Sequence, residues 1–217
     1  MQYFNVNKHL MLALFNITLG IVLAACAASP VLTPAGGQTT GDPTALQLTP
    51  SGPAQASACK SPADLTPALT EGPYFKAGSP ERSSLIETGT PGTRLVLRGR
   101  VLDTGCQPIA GALIEFWQAD ANGQYDNSGY SMRGHQFSAA DGSYQLTSVV
   151  PGLYTGRTEH IHVKVQAPNR PVLTTQLFFP GVAENDSDGI YNSALLMSIQ
   201  TGTEGQIARY DFVVNTR

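Results

Sequence analysis

The chain reads as all-β: a single-domain antiparallel β-sandwich with long loops at its functional end, preceded by a signal peptide and a disordered linker. Three observations carry that reading. Short runs of alternating or continuous apolar character recur at 94–102, 112–118, 144–149, 159–166, 173–179 and 206–214, with turn-forming residues between them, which is the spacing of a sandwich or barrel. The chain contains 22 Gly and 15 Pro but only 13% charged residues, a composition that suits many turns and lacks the Ala, Glu, Leu and Lys runs of long helices. No helix-length amphipathic pattern appears between the runs.

Residues 1–25 form a targeting segment and stand outside the fold. Lys8 precedes an apolar run at 10–25 that is short for a bilayer span and is interrupted by Asn16 and Thr18. The run ends in Leu23-Ala-Ala-Cys26, which is similar to the lipobox of bacterial lipoproteins, whose cysteine is lipidated and becomes the mature N-terminus. The alternative is an ordinary signal peptide cut after a small residue such as Ala28. Several acyl chains on Cys26 would hold the exported protein on a membrane, facing the periplasm or the exterior, through its N-terminal lipid alone. The stretch 26–58 is the lipid-anchor cysteine and a flexible linker: after Cys26 it has one charged residue, Asp42, and no aromatic side chain, too little to bury for folding. As a flexible coil it would span roughly 30 Å.

The folded region is placed at 59–217, long enough for one well-filled core. A net charge of −3 suggests neither nucleic acid nor an anionic membrane surface as a partner. Cys59 opens this region and Cys106 sits in the turn Asp103-Thr-Gly-Cys-Gln-Pro108. With Cys26 consumed, two cysteines in an exported chain predict one disulfide. Neither lies in a C-x-x-C or near the histidines, which argues against zinc.

The run at 159–166 places His160, His162, Lys164 and Gln166 on one parity and Ile161, Val163 and Val165 on the other, a strand with one face in the core. Residues two apart on a strand point the same way, so His160 and His162 present two imidazoles to one point, as a metal requires. The ordinary alternative is two histidines on a half-exposed strand face. The turn signal Pro151-Gly152 puts Tyr154 on the approach to the same point. Of the other donors, His135 is the one further histidine of the mature chain, the cysteines are expected to be consumed by pairing and Glu159 is on the wrong parity, so the remaining candidates are carboxylates and tyrosines. Phenolates suit a hard ion such as Fe(III), and a phenol of ordinary pKa about 10 ionises at neutral pH only when such an ion binds it.

Two connections, 119–141 and 180–192, are long and irregular, and long loops on a rigid sheet are where function concentrates. The first contains Gly123-Gln-Tyr125, Tyr130 and Arg133-Gly-His135. The second contains Glu184-Asn-Asp-Ser-Asp-Gly189, which lacks the ligand spacing of a calcium loop and reads as a solvated turn.

The order Glu71-Gly-Pro-Tyr-Phe75, Gly99-Arg-Val-Leu-Asp103, Ile114-Glu-Phe-Trp-Gln-Ala-Asp120, Gly123-Gln-Tyr125, Pro151-Gly-Leu-Tyr154, Arg157, His160-Ile-His162 and Thr174-Thr-Gln-Leu-Phe-Phe179 resembles the intradiol ring-cleavage dioxygenases. These are the catechol 1,2-dioxygenase and protocatechuate 3,4-dioxygenase group, and the resemblance runs over about 65–180. It implies that Tyr125, Tyr154, His160 and His162 bind a non-haem Fe(III). It also implies that Arg157 stabilises negative charge building on the substrate ring, that Gln176 lies near that ring, and that Gly72, Pro73 and Tyr74 border the pocket. By the same resemblance, Tyr154 matches a family tyrosine that leaves the metal and can accept a proton. The implied substrates are an aromatic diol and O2, and the implied reaction cleaves the ring between the two hydroxylated carbons to a cis,cis-muconate. The metal serves as Lewis acid and template, the arginine as a preorganised stabiliser.

Singly, Tyr125 and Tyr154 have an ordinary reading as core or interface phenols, Arg157 as a surface charge and Gln176 as a solvent-facing strand residue. Tyr130, Tyr144 and Tyr191 fall outside the motif, and Trp117 reads as a core residue beneath the site. No counterpart of the helical N-terminal region of catechol 1,2-dioxygenases precedes the motifs, so the chain looks like the short exported single-domain branch. Neither oligomeric state nor ring substituent follows from the sequence.

The rival reading is a non-catalytic exported β-sandwich binding module. The segment from Gly99-Arg-Val-Leu-Asp103 through Pro108-Ile-Ala-Gly-Ala112, with Asp141-Gly-Ser-Tyr144 and Pro151-Gly152, also resembles carboxypeptidase regulatory-like and transthyretin-like domains. Such modules have no need of H-x-H with paired tyrosines, which discriminates the two. A cupin is disfavoured because Gln166 stands where its carboxylate ligand belongs.

Overall fold

The computed structural model describes residues 59–61, 63–154 and 156–216. The expected signal segment, Cys26 and the linker lie outside the described residues. Two sheets pack face to face. The first contains β1 (Arg94–Leu102), β4 (Ser143–Val149), β7 (Ser198–Gly202), β8 (Gly205–Arg209) and β9 (Phe212–Val213), in the order β4-β1-β8-β7 with β9 continuing beside β1. The second contains β2 (Leu113–Trp117), β3 (Arg133–Phe137), β5 (His160–Gln166) and β6 (Leu173–Phe178), in the order β3-β2-β5-β6. Pairings are antiparallel except those of β1 with β8 and with β9, which are parallel. Among the described residues the helical pieces are two 3-10 turns, Ala183–Asp186 and Ser193–Leu195.

The core lies between the sheets. Leu95, Leu97, Leu146, Ala208 and Phe212 enter it from the first sheet, and Ile114, Phe116, Ile161, Val163, Val165 and Leu177 from the second. Each is buried, and each large apolar side chain so placed contributes roughly 1.5–3 kcal/mol. This is the period-two pattern read from the sequence, with the alternate residues of the second sheet facing outward.

β7 lies outside every expected run; it is mostly exposed, so it carries little apolar signal. Two other departures from the sequence reading have physical causes. The stretch expected as one irregular loop over 119–141 contains β3, whose Arg-Gly-His-Gln-Phe sequence has no apolar alternation. It is a strand because β2 pairs with one side of it and residues 80–82 with the other, through Arg82 N–H to the His135 carbonyl (2.8 Å) and His135 N–H to the Pro80 carbonyl (3.0 Å). The run expected as one strand over 206–214 keeps its alternation, with Ala208, Phe212 and Val214 buried. Its ladder is interrupted between β8 and β9, where the Asp211 carboxylate accepts the Arg100 N–H at 2.8 Å.

A disulfide joins Cys59 to Cys106 across 47 residues. From Cys59 the chain runs along the sandwich, with Ala63 N–H on the Thr104 carbonyl and Thr66 N–H on the Val213 carbonyl, both 2.9 Å. The bridge therefore anchors the start of the segment that later reaches the outer face of the second sheet. Closing a loop of this size is expected to stabilise the fold by roughly 4 kcal/mol in the chain-entropy model. Urea unfolding of the protein and of a Cys106→Ser variant should show a clear drop in midpoint; equal midpoints would remove this anchor from the picture.

Candidate metal centre

Strand β5 is buried on both faces. Ile161, Val163 and Val165 point into the core, so period two sends His160 and His162 outward. They are nonetheless only 4% and 2% exposed. Cross-strand register sets Trp117 and Gln176 on either side of His162, and Arg133 beyond Trp117, so that Arg133, Trp117, His162 and Gln176 form one row across four strands.

What covers this row is the segment 69–80, which crosses the outer face from β6 to β3. Leu69 N–H bonds the Thr174 carbonyl (2.9 Å), and the Gln176 amide donates to the Thr70 carbonyl (2.9 Å). Glu71 pairs with Lys164 on β5, Phe75 packs edge-on against Trp117, and Arg133 donates to the Tyr74 carbonyl at 2.6 Å. Gly72 lies directly against His162: it has φ +70° and a Cβ there would stand 3.2 Å from the imidazole Cε1. A side chain there would crowd the imidazole and force it to give way, in a backbone conformation L residues avoid.

The His160 Nδ1 lies 2.6 Å from the Thr158 carbonyl, so this nitrogen carries the proton and Nε2 is a bare acceptor. That Nε2 faces the His162 Nε2 at 3.1 Å, and the Tyr125 hydroxyl is 3.4 Å from it. Trp117 stacks on His162 with an interplanar angle of 8° and holds its plane. Tyr74 stacks on Tyr125 at 4.4 Å between centroids, and its hydroxyl is 2.6 Å from that of Tyr154. The two phenol-bearing loops meet backbone to backbone: Gly152 N–H bonds the Asp120 carbonyl (2.8 Å), and a Cβ on Gly123 would sit 2.1 Å from the Leu153 carbonyl oxygen. Glycine two residues before Tyr125 therefore brings it near Tyr154, with ring centroids 5.8 Å apart.

The electrostatics keep both imidazoles uncharged, with lone pairs free to donate. Burial pulls the His160 imidazole down to about 4, and burial together with neighbouring His160 and Arg157 holds His162 well below its ordinary value. Both rings are neutral at pH 7. With two neutral Nε2 atoms facing each other, either one carries a proton toward the other or they share a cation. Burial also pushes the Tyr125 phenol above its ordinary range, so ionising it at neutral pH takes a strong local positive charge. Among the described residues no three of His, Cys, Asp and Glu gather within reach of one ion. A metal held here takes its further donors from tyrosine, and the two imidazoles with Tyr125 and Tyr154 suit a hard, highly charged one.

Arg157 lies at the edge of this cluster. Its Nε donates to Asp188 Oδ2 at 2.8 Å and its Nη2 to Gln176 Oε1 at 2.7 Å. Pro73 is exposed between Gly72 and Tyr74. His135 is directed elsewhere, its Nδ1 on the Ser79 carbonyl. Tyr130 donates to the Ala77 carbonyl, Tyr144 to the Tyr210 carbonyl, and Tyr191 packs edge-on against Phe178.

Two participants escaped the sequence reading. Arg133 is 1% exposed and, besides the Tyr74 carbonyl, holds the Asp126 carbonyl at 3.0 and 3.2 Å, so it joins the strap to the loop that carries Tyr125. The segment 184–189, expected to be a solvated turn, is corrected by the structure: Asn185 and Asp188 are buried and bonded to Thr158 and Arg157. Only the acidic density of that segment marked it in sequence, because its partners lie about 30 residues earlier.

Gly72→Ala should cost roughly 1–2 kcal/mol from the left-handed backbone alone and displace His162; thermal unfolding together with iron uptake checks both, and wild-type values in each would contradict the close approach. A second expectation concerns acid. In the metal-free chain His160 titrates near 6.5 when unfolded and at about 4 when folded, so between these values the unfolded state binds more protons. Stability should fall as pH drops through that window and level off below it, with His160 contributing on the order of 3 kcal/mol. Urea midpoints of the metal-free chain that stay flat from about pH 7 to about pH 4 would contradict the buried neutral imidazoles.

Comparison with known proteins agrees with this geometry. Residues 70–216 match the family model described as Dioxygenase. The chain is 34% identical over 152 residues to hydroxyquinol 1,2-dioxygenase of Nocardioides simplex, an alignment covering 59% of this chain and 52% of that enzyme, so it spans about half the length of that curated relative. The dioxygenase domain of a dioxygenase carbohydrate-binding protein fusion from Streptomyces sp. SirexAA-E superposes with a TM-score of 0.70 at 52% identity, over 71% of this chain and 100% of that one. For 3-chlorocatechol 1,2-dioxygenase of Rhodococcus opacus 1CP the TM-score is 0.64 at 26% identity, over 68% of this chain and 72% of that one. On its matched residues and its fold, the chain belongs to the intradiol dioxygenase family.

Proposed function

We propose that the protein is a non-haem Fe(III) intradiol dioxygenase that uses O2 to cleave catechol-type aromatic diols between the two hydroxylated carbons, giving cis,cis-muconate-type products. The observation that carries this reading is the meeting of two neutral imidazoles and two phenols beside one arginine, on a sheet face sealed by the strap 69–80. His160, His162, Tyr125 and Tyr154 would hold the ion. Ferric iron in that position would supply Lewis acidity and a template for both oxygens of the diol.

The chain's own groups divide the remaining work. Tyr154, as a phenolate donor to such an ion, would have an Oη able to take a proton from the incoming diol, and Tyr74 Oη, 2.6 Å away, offers it a hydrogen bond. Arg157 sets a fixed positive charge beside His162, where negative charge grows on the ring. The buried Gln176, bonded to both Arg157 and the Thr70 carbonyl, joins that arginine to the strap. Gly72 leaves room beside His162 that any other residue would fill. A binding module has no use for this convergence.

We also propose that the protein acts outside the cytoplasm, anchored through Cys26. The Cys59–Cys106 disulfide supports that reading, since such bonds persist in oxidising compartments.

Oxygen uptake by the iron-loaded protein with catechol, with identification of the product, tests the activity. Tyr154→Phe and His160→Ala should each reduce uptake about 100-fold or more, the second together with loss of iron. Wild-type uptake in both variants, or a product cleaved elsewhere on the ring, would sink the assignment.

A further inference from the structure

The segment 183–190 has no part in the ligand set, yet it is docked onto the site by buried polar side chains. Asn185 accepts from Thr158 Oγ1 at 2.6 Å and donates to the Phe179 carbonyl at 2.9 Å, which ties the 3-10 turn Ala183–Asp186 to the end of β6 and the approach to β5. Asp188 reaches further in. Its Oδ2 accepts from Arg157 Nε at 2.8 Å and from Thr158 N–H at 3.0 Å, and its Oδ1 accepts from Ile190 N–H at 2.9 Å. The Asp188 side chain is 2% exposed and that of Arg157 16%. A carboxylate so buried is tolerated only when paired and fully hydrogen-bonded, and three donors meet that condition.

The consequence falls on Arg157. A free arginine side chain samples many rotamers, and a charge that wanders stabilises nothing in particular. Here the guanidinium is held from two directions, by Asp188 at Nε and by Gln176 at Nη2, which fixes both its plane and its rotation. Gln176 is itself the cross-strand neighbour of His162. Among the described residues Nη1 makes no hydrogen bond, so its donors are not spent on the clamp. We propose that Asp188 is a positioning residue for the reaction, acting through Arg157: its carboxylate and the Gln176 amide clamp the guanidinium in one orientation beside the metal-binding histidines. This rests on the dioxygenase reading above.

A double-mutant cycle on the iron-loaded protein separates positioning from a merely structural role. Asp188→Asn removes the charge and at least one of the three bonds while keeping the shape. It should retain wild-type iron content and lower kcat with catechol about 100-fold, the effect of a misplaced reacting geometry, with KM much less changed because the arginine acts on charge that develops during reaction. Arg157→Ala should cost at least as much, and Asp188→Asn in the Arg157→Ala background should cost less than about 3-fold more. Thermal midpoints of the same four proteins should show the two losses to be less than additive, a readout that does not depend on turnover.

Multiplying kinetic losses, an unchanged kcat in Asp188→Asn, or loss of iron in that variant would each overturn the proposal, the last by assigning Asp188 to support of the metal end. Additive thermal losses would overturn it as well. Wild-type protein that consumes no O2 with any catechol would instead defeat the dioxygenase reading, and the thermal cycle would still decide whether Asp188 holds Arg157.

Discussion

The rest of the structure depends on a conflict within one strand. β5 places apolar side chains on its inner face and imidazoles on its outer face, and both faces are buried. The inner face needs only an opposing sheet. The outer face needs a cover that approaches closely, satisfies polar neighbours and still leaves the imidazole nitrogens convergent. The strap 69–80 meets these demands through Gly72 at His162, Phe75 against Trp117 and backbone carbonyls offered to Gln176 and Arg133. The chain leading into it starts at the Cys59–Cys106 disulfide and is pinned along the sandwich by Ala63 and Thr66.

Burial of this cluster also sets its chemistry. In water two imidazoles and two phenols would have ordinary proton affinities and little reason to meet. Under the strap the imidazoles lose their affinity for protons, and Tyr125 resists ionisation. The imidazoles are thereby left as neutral donors, and the phenol would ionise at neutral pH only beside a strong positive charge such as a bound multivalent cation. The surrounding cations are restrained in the same spirit. Arg133 is spent on carbonyls beneath the tyrosines, whereas Arg157 is held by Asp188 and Gln176 at the edge.

Much of this was legible in the sequence, for identifiable reasons. Alternation located β1, β2, β4, β5 and β6 and the run that divides into β8 and β9, because one face of each meets a core, whereas β7, largely exposed, escaped it. The parity of His160 and His162 against Ile161 and Val163 is a local property of a strand. The Cys59–Cys106 pair followed from counting. What else escaped was non-local. β3 has no apolar pattern and exists because both its edges find partners. The break between β8 and β9 depends on Asp211 meeting a backbone N–H on another strand. Asp188 looked like part of a solvated turn because acidic, glycine-rich segments usually are, and only the return of the chain brings it to Arg157. Arg133 likewise carried no mark in a stretch expected to be a loop, and its role depends on the strap passing over it.

The central claim is that the phenols and imidazoles on this sheet face hold ferric iron with room for a diol. The visible absorption spectrum of the full chain after loading with ferric iron, followed during addition of catechol, tests it most directly. A broad visible band from phenolate donation to Fe(III), shifting as the diol binds, is the expected result. A protein that takes up no iron and stays colourless would contradict it.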